Sequence, residues 1–361
     1  MLRLVAVFFL TTLLSTLFSD FPDASREAFL KLCSLFVVLF LVIVMTDSKR
    51  RVLALVLALL LSTALSGSVS VLSYLTGTHF VGDPDTSRLV GASSTDPTTT
   101  ANVMLIGSML GLFLLFRLPR LRKAGALSAV FGVCGVVLSQ SRSALMFLVA
   151  ACGWLAFLLR KSRYAPAGML LGALVMISLL PAVPDQVWDR FSQMANPSQD
   201  WTLGRRWGYH VIGLELLKEH PVLGVGPGAF AEHYAGFEFR WEEGRRQETR
   251  ELHNVYLATA TQHGLVGFAI FAAMLIVAMV GLERVRTRSR DPTLVIIAQG
   301  LQLAFGIFLV AIVTLPALSN KMLWVGLGLC TAVGNVGGRL EQSDRGQGAE
   351  SEPSRFESSP P

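Results

Sequence analysis

Long apolar runs, separated by short stretches rich in arginine and lysine, set what this chain can fold into. The hydrocarbon core of a bilayer is about 30 Å thick, so a helix that crosses it needs about 20 mostly apolar residues. Helices suit that setting because their backbone polar groups are satisfied internally. Ten runs fit, at roughly 2–18, 28–46, 52–75, 101–116, 124–139, 143–160, 167–184, 264–283, 293–315 and 322–336. The first could pass for a signal peptide. It lacks a clear small-x-small cleavage site, and Ser19-Asp20-Phe21-Pro22 reads as a connecting turn, so it is taken as a span. Composition agrees. Hydrophobic residues make up 52% of the 361 and charged residues 16%, against about 25% charge in a soluble chain. So few charges cannot cover a soluble surface, which excludes a soluble enzyme, a nucleic-acid-binding domain and a disordered chain. The expected fold class is an all-α polytopic membrane protein of about ten transmembrane helices, with a long periplasmic loop that contains an amphipathic helix.

Orientation follows from the basic residues of the short loops. One set holds fourteen: Lys49, Arg50 and Arg51; Arg117, Arg120, Arg122 and Lys123; Arg160, Lys161 and Arg163; Arg284, Arg286, Arg288 and Arg290. The alternating set holds four, Arg26, Arg88, Arg142 and Lys321. The contrast predicts a multi-pass protein with both termini cytoplasmic. The long loop then lies outside, its own basic residues being no objection because long loops translocate largely regardless of charge. The expected organisation is an N-terminal bundle of seven spans over 1–184, a periplasmic loop over 185–263, three spans over 264–336 and a cytoplasmic tail over 337–361. The tail is rich in Gly, Ser, Pro and charge and reads as disordered. Cys33, Cys134, Cys152 and Cys330 fall in or beside spans and suggest no disulfide framework.

The polar chemistry is one-sided. The span centres are almost free of ionisable groups, whereas ion-coupled transporters more often carry them at mid-membrane. Five of the six histidines, His210, His220, His233, His253 and His263, lie between 210 and 263. Arg142, in SQSRSA, stands on the face that the positive-inside bias should deplete of arginine, and Arg88 is a weaker case of the same kind. In GRRWGYHVIGLELLKEHPVLGVGPGAF, Trp207, Val211, Leu214 and Leu217, with Ile212 and Leu216, fall on one broad side at helical spacing. That predicts an amphipathic helix over 205–219 lying on the membrane surface and ended by Pro221. The GVGPG that follows has no strand before it, so a tight turn explains it better than a dinucleotide loop. In ELHNVYLATATQHGLVGF, Asn254 either caps the next helix or orients His253. The histidine spacings match no zinc pattern. Asp83-Pro84-Asp85 is formally an Asp-x-Asp pair of the kind that holds a divalent ion, and equally a turn.

Taken together, SQSRSALMFLVA, the GRRW…HPVLGVGPGAF segment and LHNVYLATATQHGLVGF resemble the O-antigen ligase and polymerase family. The family pattern is an SR pair at the outer end of a span, then an arginine followed by a helix running into hP-hhGhG, then an HN element opening the next span, where h is apolar. RLVGASSTDPTTTA resembles a further R-x-x-G…P-N-x-x-A segment, with Thr98 where Asn is usual. The resemblance covers roughly 85–285, and family members usually carry about a dozen spans.

The resemblance implies transfer of a glycan from a polyprenyl-pyrophosphate-linked donor to a glycan or lipid A-core acceptor, at the periplasmic face and without a metal or other cofactor. Membrane lipid is implied as a partner; nucleic acid is not. It implies His253 as the base for the acceptor hydroxyl. Arginine holds phosphate charge through bidentate, permanently charged contacts, which makes Arg142 and Arg206 the candidates for the developing pyrophosphate. Counting back from Pro221 favours Arg206 slightly over Arg205. Arg205, Arg88, His210 and Asn254 complete the expected substrate-binding set. Ligase, polymerase and protein O-glycosylation share these motifs. A transporter or flippase of lipid-linked glycans is the alternative, and it leaves the one-sided histidines and arginines unexplained.

Overall fold

The structure, a computed structural model, describes residues 1–78, 89–92, 96–160, 201–236, 250–316 and 318–350. Among these every regular element is helical. Helices α1 (Leu2–Leu17), α2 (Pro22–Met45), α3 (Lys49–Thr76), α4 (Pro97–Arg117), α5 (Arg122–Leu138) and α6 (Arg142–Leu159) come first. They are followed by α7 (Trp201–Glu219), the short α8 (Ala229–Ala235), α9 (Val255–Arg288), α10 (Pro292–Ala311) and α11 (Lys321–Glu350). Helices occupy nine of the ten anticipated spans; the tenth, 167–184, lies outside the described residues. Six described helices are long and apolar enough to cross a membrane: Pro22–Met45, Lys49–Thr76, Pro97–Arg117, Pro119–Leu138, Val255–Arg288 and Pro292–Thr314. Leu2–Leu17 and Arg142–Phe157 are apolar but shorter. This is a multi-pass membrane protein.

Helix starts follow local capping chemistry. Asp96 accepts from Thr99 N at 2.6 Å and Asp291 from Thr293 N at 2.8 Å, each with proline at the first helical position. The core runs through the middle of the bundle. Phe8 and Trp324 are fully buried with ring centroids 6.2 Å apart, so α1 and α11 meet there, and Phe271 of α9 joins them. Short connections make neighbouring helices antiparallel, so the bundle has two chemically distinct ends. At one, Lys49 pairs with Asp291 at 2.6 Å, joining the starts of α3 and α10 among the arginines of the short loops. At the other lie the starts of α4, α6 and α9.

Two expectations are corrected. The tail expected to be disordered from 337 begins as helix, because α11 runs on to Glu350; Arg339, Leu340, Glu341 and Gln342 are all good helix formers. The second concerns α7, which does not gather its apolar residues on one side. Tyr209, Ile212 and Leu216 are buried against the protein, whereas Trp207 and Leu214 point outward and are 70% and 50% exposed. The inner set packs on Leu252 and Ala258, so tertiary contact uses one half of what sequence periodicity reads as a single broad face.

Helix α9 is broken. Gly264 has φ 68°, ψ −179°, and separates a nine-residue first segment from the long remainder. The break frees backbone groups, and the PVLGVG segment after α7 satisfies them. Val225 N–H donates to Thr261 O (3.0 Å), Gly226 N–H to Gln262 O (3.1 Å), and Leu265 N–H to Pro221 O (2.8 Å). Ser15 of α1 adds a hydroxyl donated to Gln262 O at 2.7 Å, and Gln262 Oε1 accepts from Gly228 N at 2.8 Å. A Cβ on Gly264 would overlap the Val222 carbonyl. Non-helical backbone survives at such a site only where protein satisfies it. The turn expected in GVGPG is therefore a plug for a helix break, with Gly224, Gly226 and Gly228 all at positive φ.

Candidate active site

The first segment of α9 carries His253 and Asn254 immediately before it. Asn254 is the cap: its Oδ1 accepts from Tyr256 N (3.1 Å) and Leu257 N (3.2 Å). Its amide Nδ2 is then free to reach His210 Nε2 at 3.4 Å. An amide nitrogen only donates, so we assign His210 as the Nδ1–H tautomer, with Nε2 accepting. Asn254 thus caps the helix and orients a histidine, but the histidine is His210 rather than its neighbour.

His253 is half-buried. Its Nδ1 lies 2.9 Å from the backbone oxygen of Glu251. A carbonyl only accepts, so Nδ1 carries the proton of the neutral ring and Nε2 keeps its lone pair. The ring of Tyr209 stacks on it, centroids 5.8 Å apart and planes 23° apart. Desolvation pushes the imidazole below the ordinary histidine range. The bond to Glu251 pulls it back up, Arg206 pushes it down, Asp96 raises it and Arg250 lowers it. The charged groups that act on His253 are thereby identified as Arg206, Asp96 and Arg250. The net result is a neutral ring at physiological pH, as a general base requires.

Arg206 and His210 are four residues apart on α7 and share one of its faces. That face meets the start of α9, where Thr261 Oγ1 donates to Gly213 O at 2.9 Å. Arg205 precedes Arg206 in the same helix. Arg142 opens α6 after a tight turn in which Gln140 has φ 52°. Ser139, Gln140 and Ser141 are buried there; Ser139 Oγ donates to Val136 O at 2.7 Å and accepts from Ser141 N at 3.2 Å. Arg142 itself is half-buried. It sits at the end of the bundle that carries Asp96 and His253, since α4 and α6 run parallel and pack together. The N-termini of α4, α6 and α9 lie at this end, each with a positive dipole end.

Other candidates fall elsewhere. His220 and His233 turn to Asp20 in the α1–α2 connection, each with Nε2 3.8 Å from Asp20 Oδ2. His263 is buried beside Phe8, ring centroids 5.4 Å apart. Arg88, Asp83 and Asp85 lie outside the described residues. Among the described residues no three His, Cys, Asp or Glu side chains converge to hold a metal ion. Sequence reading passed over Asp96 and Arg250. The Asp-Pro that starts α4 is a legible cap signal, but nothing local ties it to His253.

Residues 127–272 match the O-antigen ligase family. The matched region runs from α5 into α9 and takes in Arg142, Arg205, Arg206, His210, His253 and Asn254. No curated protein matches the chain. A match to that family points in general to glycan transfer of the ligase or polymerase type, with lipid-linked glycan and an acceptor as substrates. The break at Gly264 and its plug at 221–228 both lie inside the matched residues.

Proposed function

We propose that the protein transfers a glycan from a polyprenyl-pyrophosphate carrier to an acceptor sugar hydroxyl, at the periplasmic face of the inner membrane and without a metal. His253 is the general base. Its Nε2 takes the proton of the acceptor hydroxyl as that oxygen bonds to the anomeric carbon. The bond from this carbon to the pyrophosphate oxygen breaks, and the polyprenyl pyrophosphate leaves with the electron pair. A single displacement of this kind inverts the anomeric centre. Arg142 and Arg206 hold the charge that develops on the pyrophosphate, with Arg205 and Arg88 assisting; fixed charge in a water-poor site acts strongly on developing charge. The N-termini of α4, α6 and α9 at the same end favour an anion there. His210, fixed by Asn254, contacts the substrate beside Arg206.

The observation that carries this reading is the bond from His253 Nδ1 to Glu251 O, because it leaves the opposite ring nitrogen as the base. The test is purified protein with a polyprenyl-pyrophosphate-linked oligosaccharide and candidate acceptors, with product length analysed. A ladder indicates a polymerase, and one addition to lipid A-core or another acceptor indicates a ligase. Carrier moved across the bilayer with no new glycosidic bond would overturn the reading.

A further inference from the structure

The arginine-rich end contains a cleft of about 370 Å³ between the last turns of α9 and the middle of α11. The two helices cross at Gly281 and Gly334, where their backbones are in contact. Val285 still packs closely on Gly337 one turn further on, and the cleft opens beside that contact. Arg284 and Arg288, four residues apart on one face of α9, form one wall; Asn335, Gly338 and Glu341 of α11 form the other.

Three features point to a ligand. Among the described residues neither Arg284 nor Arg288 makes a side-chain ion pair or hydrogen bond, whereas Arg286 between them is held by Glu283 through both Nε and Nη2. A Cβ on Gly338 would meet nothing within 4 Å, so α11 presents bare backbone to open space where no packing demands it. At the upper lip the cleft gives onto apolar surface at Val277 and Ile276, which are 43% and 61% exposed. The cleft is therefore basic below and apolar above, which suits a ligand with an anionic head and an apolar body. Guanidinium forks match phosphate oxygens. Glu341 is the one carboxylate among the lining residues, so the cleft is net positive, which suits a phosphodiester. Basic clefts between membrane helices bind lipid headgroups by this physics.

We propose that Arg284 and Arg288 bind the phosphodiester headgroup of a membrane phospholipid in this cleft, with its acyl chains against the apolar surface beside Val277. The site is at the opposite end of the bundle from His253 and stands independently of the glycan-transfer reading.

The test is native mass spectrometry of the full chain in detergent, titrated with phosphatidylglycerol. Wild type retains one lipid per chain. Arg284→Glu with Arg288→Glu weakens retention by about tenfold or more, since two charge-assisted contacts are lost. Gly338→Trp does the same by filling the cleft without touching either guanidinium. Arg284→Gln with Arg288→Gln serves if charge reversal disturbs folding, which thermal unfolding monitors. Arg50→Glu, at the same end but outside the cleft, binds like wild type. Equal retention by wild type and the cleft variants overturns the proposal, as does an equal loss in Arg50→Glu, which would mean diffuse surface charge. Inorganic phosphate is titrated alone by calorimetry. No binding supports the lipid as source; binding that depends on Arg284 and Arg288 makes the ligand the free anion and overturns it.

Discussion

The Nδ1 atom of His253 lies 2.9 Å from the backbone oxygen of Glu251. A backbone group two residues away thus fixes the tautomer, and the rest of the ring faces charges from other helices. Arg206 and Arg250 depress the imidazole and Asp96 raises it. Three substitutions should therefore move the acid limb of the pH–rate profile in known directions. Because His253 titrates below the ordinary histidine value, activity in wild type persists to pH below about 6.5 and falls as the ring protonates. Arg206→Gln or Arg250→Gln shifts that limb to higher pH. Asp96→Asn, which keeps a good cap for α4, shifts it to lower pH. Limbs that coincide in all four proteins would remove His253 as the titrating base.

His253→Ala should abolish transfer while membrane insertion and thermal unfolding remain as in wild type. Loss of a positioned base costs about 100-fold to 10,000-fold. Turnover of His253→Ala at the wild-type rate in the purified assay would assign the base elsewhere.

Arg142→Ala and Arg206→Ala should each reduce turnover by about 100-fold or more, by analogy with loss of a donor to a developing anion. Lysine at either position restores part of the rate, because it supplies charge without the planar fork. Complete restoration by lysine would reduce the role to simple charge. The readout is turnover at saturating donor.

Asn254 does two jobs that two substitutions separate. Asn254→Ala loses the cap and should destabilise the protein by about 0.5–2 kcal/mol. Asn254→Asp keeps the cap oxygen, so thermal stability is retained. It removes the donor to His210, so activity falls while stability does not. Equal thermal stability of the Ala and Asp variants would show that the cap contributes nothing.

At Gly264 an added methyl group meets both a positive φ and the Val222 carbonyl. Positive φ with ψ near 180° is a region that essentially only glycine visits, and holding an alanine there costs about 1–3 kcal/mol. Gly264→Ala should therefore lower the melting temperature and the yield of monodisperse protein, whereas Gly338→Ala, facing open space, leaves both unchanged.

The spans were legible because bilayer thickness imposes one length on every crossing helix, and apolar runs of that length stand out in this sequence. The Asn254 cap and the Pro221 stop were legible because each is written within a few residues. The rest depends on contacts that local pattern does not encode. Pro221 and Leu265 are joined by a backbone bond across 44 positions, and backbone bonds leave no side-chain signature. Tyr209 stacks on His253 and Trp207 points away, yet both are aromatic residues on one short helix. Asp96 acts on His253 from 157 positions earlier, as a charge acting through space at one end of the bundle. Arg88 and the Asp83–Asp85 pair lie outside the described residues.

The plugged break at Gly264 also has a mechanical meaning. The nine residues before it are tied sideways, to Val225, Gly226 and Ser15, rather than continuously to the span they precede. Spans tilt to match the thickness of the lipid around them, and a rigid rod would carry that tilt straight to His253. Here one short segment grips both sides of the break, Thr261 and Gln262 before it and Leu265 after it. The angle between the two pieces is therefore set by the 221–226 loop rather than by the helix's own ladder.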